Sequence, residues 1–347
     1  MSANNEKRFL SLGLNSGTNV VLTSTKNGTP FRMRKRATGA FPRERHFSYR
    51  SPIKMIGRDR SMRHSCPVCG GKEIAHVVYR DVKGFDLVRC GSCKVVHLSP
   101  LPSEENIRCI YSQSYFRDSL EKHGYLDYDQ EHAFINATYR RRFRRISTLL
   151  RPRDRPLRMH EIGCAMGFGL DVGARQFGWD VSGSDISAYA VERSGALGYP
   201  AVQSDSLGRC DLPFRRPDLI CLFDVIEHLP RVHSFRDWLS GQMAPGALLA
   251  MTTMDMDSFW NRFLGRRSPS IKVPEHLTYF TTQTLKVAMG SMFRLVYASA
   301  DIQTVSASLL ARRILNVLGL RPSQWGALRS LPTVIPNGMK LYVFERT

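Results

Sequence analysis

The pattern of apolar positions changes period where the chemistry-bearing residues lie. Between 157 and 187, LRMHEIGCAMGFGLDVGARQFGWDVSGSDIS, an apolar run ends at Glu161, small residues follow, and the pattern turns helical over 170–177 before Gly178 stops it. Residues 179–184 then predict a second strand ending at Asp185. The alternation continues: Ser187 opens a helix over 187–197, 201–203 is a short strand, and 217–223 is a buried one. A helix over 234–243 ends at Ala-Pro-Gly246, and 247–253 gives a fifth strand. A helix over 282–290, a strand over 293–298 and a last strand over 339–345 complete the series. Strands alternating with helices predict a doubly wound, mostly parallel α/β sheet, with ligands at the carboxyl ends of the strands.

Upstream, Ile135, Tyr139, Phe143, Ile146 and Leu150 recur every three or four positions and predict an amphipathic helix over 131–150. Arg140, Arg141, Arg144 and Arg145 decorate its other faces, as a solvated basic surface or as a patch for an anionic substrate. Arg151-Pro-Arg-Asp-Arg-Pro156 breaks this helix. The segment 99–116 reads as a linker, in which Ser103-Glu104-Glu105 turns into a helix cap. Residues 255–272 are too apolar for a solvent loop: Phe259, Trp260, Phe263 and Leu264 interleave with Arg262, Arg266 and Arg267. Three readings fit: a lid over substrate, a contact with a membrane surface or lipid-linked substrate, and a plain packing helix. The amphipathic stretch 305–320, with Arg312 and Arg313, reads as further cover for the core.

Composition narrows the class. A chain of 347 residues allows one large domain and a small one, and 42% hydrophobic residues suffice for a real core. No apolar run approaches the ~20 residues of a membrane span, and no apolar segment near the start predicts a secretory signal. The formal charge is +20, but residues 1–65 hold 14 Lys/Arg against 3 Asp/Glu, a net of +11. Over half the excess therefore sits in one segment, and 1–62 is expected to be a disordered basic extension, with Met55 and Met62 as internal alternative starts. Cys109, Cys164, Cys210 and Cys221 are scattered singly, which suits a reducing compartment and predicts a cytoplasmic protein.

The other four cysteines are patterned. Cys66-Pro-Val-Cys69 and Cys90-Gly-Ser-Cys93 stand 20 residues apart, and two such turns present four thiolates to one tetrahedral ion. With short strands over 75–79 and 85–89 between the knuckles, the spacing predicts a zinc ribbon whose metal is structural, since cysteine fills all four positions. His64, His76 and His97 are surplus, and His97 reads as a strand residue. The ribbon is expected to be separable: loss of zinc would unfold it and leave the catalytic domain largely intact.

The turn after Glu161 identifies the ligand. A dinucleotide fingerprint fails, because Ala165 and Phe168 stand where glycines are needed, and no Gly-Lys-Ser/Thr supplies a Walker loop. What remains is an acid at the strand end, a Gly163-x-Ala165-x-Gly167 turn, and Asp185 placed 22 positions after Gly163 to accept from two ribose hydroxyls. The turn leaves room for an uncharged thioether-linked amino acid in place of a phosphate. This stretch resembles motif I of the class I S-adenosylmethionine-dependent methyltransferases, usually Asp/Glu-x-Gly-x-Gly-x-Gly, from which Ala165 and Gly169 depart. DLPF, DVIEHLP, APGALLAMTT and PEHLTYFT are similar to later landmarks of a subgroup that carries an N-terminal zinc ribbon and methylates small molecules, including sugars and secondary metabolites. The resemblance covers about 64–347.

The resemblance implies a seven-stranded sheet with an antiparallel last strand. It implies S-adenosylmethionine held by Glu161, Gly163, Ala165, Gly167, Asp185, Ile186, Asp205, Ser206 and Asp224, with Asp205 facing the adenine amino group. Methyl transfer to a hydroxyl also needs a proton acceptor, and His276 and His228 both fall where strand ends converge. Asp224, Glu227 and His228 could equally open a helix and cap it, and Glu227, His228 and Glu275 could hold a divalent ion. The chain thus divides as extension 1–62, ribbon 63–100, linker and helix 101–156, and methyltransferase domain 157–347. The expected acceptor is a small molecule, anionic or lipid-linked among the possibilities. An RNA methyltransferase and a non-catalytic zinc-ribbon scaffold are the alternatives.

Overall fold

The structure, a computed structural model, describes residues 65–103, 106–107, 128–317 and 331–347. The basic extension, His64, most of the linker with Cys109, and the end of the 305–320 stretch lie outside the described residues. Seven strands form the main sheet: β4 (Arg158–Ile162), β5 (Asp180–Asp185), β6 (Ala201–Gln203), β7 (Leu219–Phe223), β8 (Leu248–Met254), β10 (Phe293–Ser306) and β11 (Pro332–Arg346), in the order β10-β11-β8-β7-β4-β5-β6. β4 to β8 pair in parallel, and β11 runs antiparallel to both β8 and β10. The class of fold and the reversed last strand are those expected from the sequence. β7 and β8 are buried on both faces, which is why they read as unbroken apolar runs.

Helix α1 (Tyr128–Ser147) precedes the sheet, and α2 (Phe168–Phe177), α3 (Ala188–Ala196), α4 (Val232–Gln242), α5 (Phe259–Leu264), α6 (Thr282–Met289) and α7 (Ala307–Val317) follow in chain order. α1 buries Phe143 and Ile146 against Leu170, Met159 and Val181, the use the helical spacing implied. Two strands run further than expected. β10 and β11 stay paired from Phe293↔Arg346 out to Ser306↔Pro332, beyond the reach of β8, so β10 takes in the start of the stretch read as helical from Val305. The helix begins only at Ala307, where the Ser306 hydroxyl accepts from the Leu309 amide at 3.2 Å.

The larger departure concerns the ribbon. β1 (Ile74–Val82), β2 (Phe85–Cys90) and β3 (Val96–Ser99) form an antiparallel sheet, and its fourth strand is β9 (Thr278–Tyr279), supplied from far along the chain. The Leu98 amide donates to the Leu277 carbonyl at 2.9 Å, and the Val232 amide donates to the Pro67 carbonyl at 2.8 Å. Cys66, Val68, Cys90, Cys93 and Val95 share one apolar cluster with Val232, Phe235 and Phe280. A second cluster joins Leu87 and Leu98 to Met254, Val273, Leu277 and Tyr279. The ribbon, expected to be separable, shares its sheet and its apolar clusters with residues 157–347, and a ~35-residue segment gains from that neighbour the core it is too small to build alone.

Leu98→Ala should cost ~2–5 kcal/mol, as for other fully buried leucines. The loss should appear as one cooperative transition, read alike by near-ultraviolet dichroism and by ligand protection of the main sheet. Two separate transitions would show that ribbon and sheet unfold independently.

Candidate active site

The turn after β4 is built by three left-handed residues: Gly163 (φ 76), Ala165 (φ 46) and Gly167 (φ 77). A Cβ at Gly163 would stand 2.4 Å from Val225 Cγ2, and one at Gly167 would stand 2.7 Å from Ser194 Oγ. Ala165 takes a conformation that costs an L-residue roughly 1 kcal/mol. It is held there by Asp185, whose Oδ2 accepts from the Ala165 amide at 3.0 Å while Oδ1 accepts from the Ser187 amide at 2.9 Å. Burial raises the Asp185 carboxyl to about 6.

Glu161 is fully buried. Its Oε1 accepts from the Tyr139 hydroxyl at 2.7 Å, and burial raises it to about 8. Gly169, a departure from the usual motif, has its reason here: a Cβ would lie 2.3 Å from Glu161 Oε2 and 2.5 Å from Tyr139 Cε1. Arg142, on the same helix as Tyr139, makes a two-pronged pair with Asp301 at 3.0 and 2.6 Å, stacks over Phe223 at 4.7 Å, and reaches Asp224 Oδ2 at 4.0 Å. Asp224 takes φ 59 after β7, and its Oδ1 accepts from the Thr252 hydroxyl at 2.7 Å. Ile186 follows Asp185, and its carbonyl accepts from Gln203 Nε2 at 3.1 Å. Ser206 is buried. Asp205 closes its own loop: Oδ1 accepts from the amides of Leu207 and Arg209, and Oδ2 pairs with the Arg209 guanidinium. Those bonds place the Arg209 guanidinium beside the carboxylate.

A second centre adjoins the first through Val225. His228 and His276 stand with ring centroids 4.8 Å apart at 72°. His228 Nδ1 donates to the Glu275 carbonyl and His276 Nδ1 to the Ser270 carbonyl, both at 2.8 Å, so each neutral ring carries its lone pair on Nε2. Burial holds both imidazoles below the ordinary 6.5, His276 the further. Glu227 is buried beside them, within 4.8 Å of a nitrogen of each ring, and burial followed by the Asp224 charge raises its carboxyl to about 8. The Leu277 amide donates to the Glu227 carbonyl at 2.8 Å, joining the two segments that carry the histidines.

Seven buried side-chain polar atoms lack a partner among the described residues. Asn136 Oδ1, Glu161 Oε2 and Ser194 Oγ belong to elements around the glycine turn, and Glu227 Oε2, Thr253 Oγ1, Thr278 Oγ1 and Tyr279 Oη to elements around the histidines. Such atoms are rare in folded proteins and mark places where a ligand or water completes the bonding.

The four patterned cysteines also converge. Cys66 and Cys93 sulfurs are 3.5 Å apart, Cys69 and Cys90 sulfurs 3.6 Å, and all four lie within 4.8 Å of one another. A disulfide needs about 2.05 Å, whereas four thiolates at ~2.3 Å from a zinc ion lie roughly 3.8 Å from each other. These spacings are close enough for all four sulfurs to share one metal ion.

Residues 130–291 match the family model described as a methyltransferase domain. With the sheet order above, residues 130–291 form a methyltransferase domain on an α/β fold of the class I methyltransferase type. No curated relative matches it. Among solved structures it is similar to a methyltransferase from Thermotoga maritima described as a possible histamine N-methyltransferase (15% identity, TM-score 0.44, 70% of this chain and 100% of that one). It is also similar to the plantazolicin methyltransferase with bound S-adenosylhomocysteine (16%, 0.42, 70% and 96%). A third is the magnesium protoporphyrin IX methyltransferase from Synechocystis PCC 6803 (12%, 0.44, 71% and 100%).

Two residues escaped the sequence reading. Tyr139 was visible only as one position of an apolar stripe, and Arg142 only as one of six arginines between 140 and 151. Its place three residues after Tyr139 and one before Phe143 puts it toward the apolar face, which was the available signal. The turn makes a paired prediction. Ala165→Gly should raise stability by about 1 kcal/mol by relieving the left-handed alanine, whereas Gly169→Ala should destabilise through contact with Glu161. Equal melting temperatures for both variants and the parent would contradict this account of the turn.

Proposed function

We propose that this enzyme transfers the methyl group of S-adenosylmethionine to a hydroxyl or carbon of a small molecule, with one of two histidines taking the proton. The carrying observation is the division of partnerless buried atoms between two adjoining centres, one around the glycine turn and one around the histidines. In this reading Gly163, Ala165 and Gly167 give the donor close access to backbone, Asp185 takes the ribose, and Glu161, Ile186, Ser206 and Asp224 line the remainder. Two carboxyls pushed up by burial, Glu161 and Asp185, suit a ligand that carries positive charge.

The donor supplies an activated methyl on a sulfonium, so the protein's part is alignment and proton removal. For a hydroxyl acceptor, the new carbon–oxygen bond forms as the sulfur–carbon bond breaks, and the hydroxyl proton passes to an imidazole Nε2. His276 is ranked first because it lies on the segment leading from α5 into β9, and His228 is the alternative. Over half of the surplus positive charge lies in 1–65, so a small acceptor is favoured over RNA. Cys66, Cys69, Cys90 and Cys93 are assigned a structural zinc, and the chain's thiols suit the cytoplasm.

An acceptor screen with labelled donor tests the reaction. On the acceptor found, His276→Ala should lower turnover ~10²–10⁴-fold while donor affinity holds, and more than His228→Ala does. Because both imidazoles are held below 6.5, kcat/KM should persist as pH falls through 6.5 and decline only at lower pH. Wild-type turnover in both variants, or an acid limb at or above 6.5, would remove the histidine base.

Metal analysis should find about one zinc per chain, lost in Cys66→Ser/Cys93→Ser. Since β3 pairs with β9, which directly follows the His276 segment, zinc loss should lower melting temperature and acceptor turnover together. Zinc retained in the double variant would contradict the assignment.

A further inference from the structure

Helix α5 has its polarity reversed for a surface helix. Its one buried residue is Asn261, whose Nδ2 donates to the Asp255 carbonyl at 2.7 Å and whose Oδ1 accepts from the Ser268 hydroxyl. Ser258 caps the helix, accepting from the Asn261 amide. The aromatic residues point the other way: Phe259 is 71% exposed, Phe263 73% and Trp260 45%. Phe259 and Phe263 stack within 9° of parallel, and they and Trp260 are the only exposed large aromatic residues among the described residues. Arg262, Arg266 and Arg267 are exposed on the helix and the tight turn after it, and neither element contains an acid; the exposed acids beside them are Asp257, in the preceding turn, and Asp81, whose backbone meets Arg266. Arg266 also fastens the turn to the ribbon by donating to the Asp81 carbonyl at 3.0 Å.

We propose that α5 and the turn Gly265–Arg267 dock the enzyme on an anionic phospholipid bilayer, the aromatic rings entering the headgroup boundary and the guanidiniums meeting lipid phosphates. The composition is that of an interfacial anchor, with aromatic side chains and arginines side by side on a pinned scaffold. A second copy of the chain fits less well. The three rings expose on the order of 400 Å², against about 800 Å² per partner in a stable protein interface. The helix also leads from the carboxyl end of β8 into the segment that carries His276, so docking would hold the histidine centre close to the membrane surface. No helix among the described residues is long and apolar enough to cross a membrane, so attachment by this route is peripheral.

Sedimentation of the full-length protein with vesicles tests the proposal without donor or acceptor, so its result is independent of the methyltransferase reading. Binding is expected with phosphatidylcholine vesicles containing phosphatidylglycerol and should weaken roughly tenfold or more in Phe259→Ser/Phe263→Ser, whose charge is unchanged. Brominated lipid should quench tryptophan emission in the parent and much less in Trp260→Phe. If the double variant melts early, Arg262→Gln/Arg267→Gln probes the same surface and should also weaken binding. Binding that depends on phosphatidylglycerol but ignores all these substitutions belongs to other basic residues, the 1–65 segment among them, and overturns the proposal. So does an absence of vesicle binding, or a concentration-dependent dimer that the phenylalanine substitutions abolish.

Discussion

A single buried carboxylate organises the glycine turn of this molecule. Asp185 ends β5 and ties two backbone amides, Ala165 in the turn after β4 and Ser187 at the start of α3. The amides of Gly163 and Cys164 both donate to the Ser184 carbonyl beside it. These bonds hold three left-handed residues in five positions, a conformation the chain would not keep unaided. The turn then sets the rest: Gly163 admits Val225, which leads to Glu227 and His228, and Gly169 admits the Glu161–Tyr139 pair, which fixes α1 across the site. Arg142 locks that helix to Asp301 on β10, so residues far apart in sequence depend on one small-residue turn.

The histidine side has a comparable dependence on the ribbon. The chain from Gly265 to Phe280 is held on one side by ribbon backbone, through Asp81, Leu98 and the β3–β9 pairing, and on the other by Glu227. Lys83 adds a bond from its ammonium to the Val273 carbonyl at 3.2 Å. His276 stands inside this doubly held segment. The ribbon strand that follows the second cysteine pair thus borders the segment that carries His276.

Much of this was legible in the sequence. The alternation of apolar runs gave the sheet and its helices, because buried parallel strands and amphipathic helices must each satisfy one period. The knuckle spacing anticipated that four sulfurs would cluster, and the acid 22 positions after Gly163 is the residue that holds the turn. What stayed hidden were pairings between distant segments. Nothing in Thr278-Tyr279 announces a strand of the ribbon sheet, because two residues carry no period and the partner lies about 180 positions away. Arg142 and Asp301 are ordinary surface types until the fold buries them together. The pairing of Asp205 with Arg209, four residues on, is likewise too local to stand out in the sequence.

In the proposed function Asp185 anchors the donor, and calorimetric titration with S-adenosylmethionine measures that directly. Asp185→Ala, shown to be folded by its melting curve, should bind the donor about 2 kcal/mol more weakly, roughly a thirtyfold rise in Kd, the scale of lost charge-assisted hydrogen bonds. A folded Asp185→Ala protein that binds the donor as tightly as the parent would contradict the account.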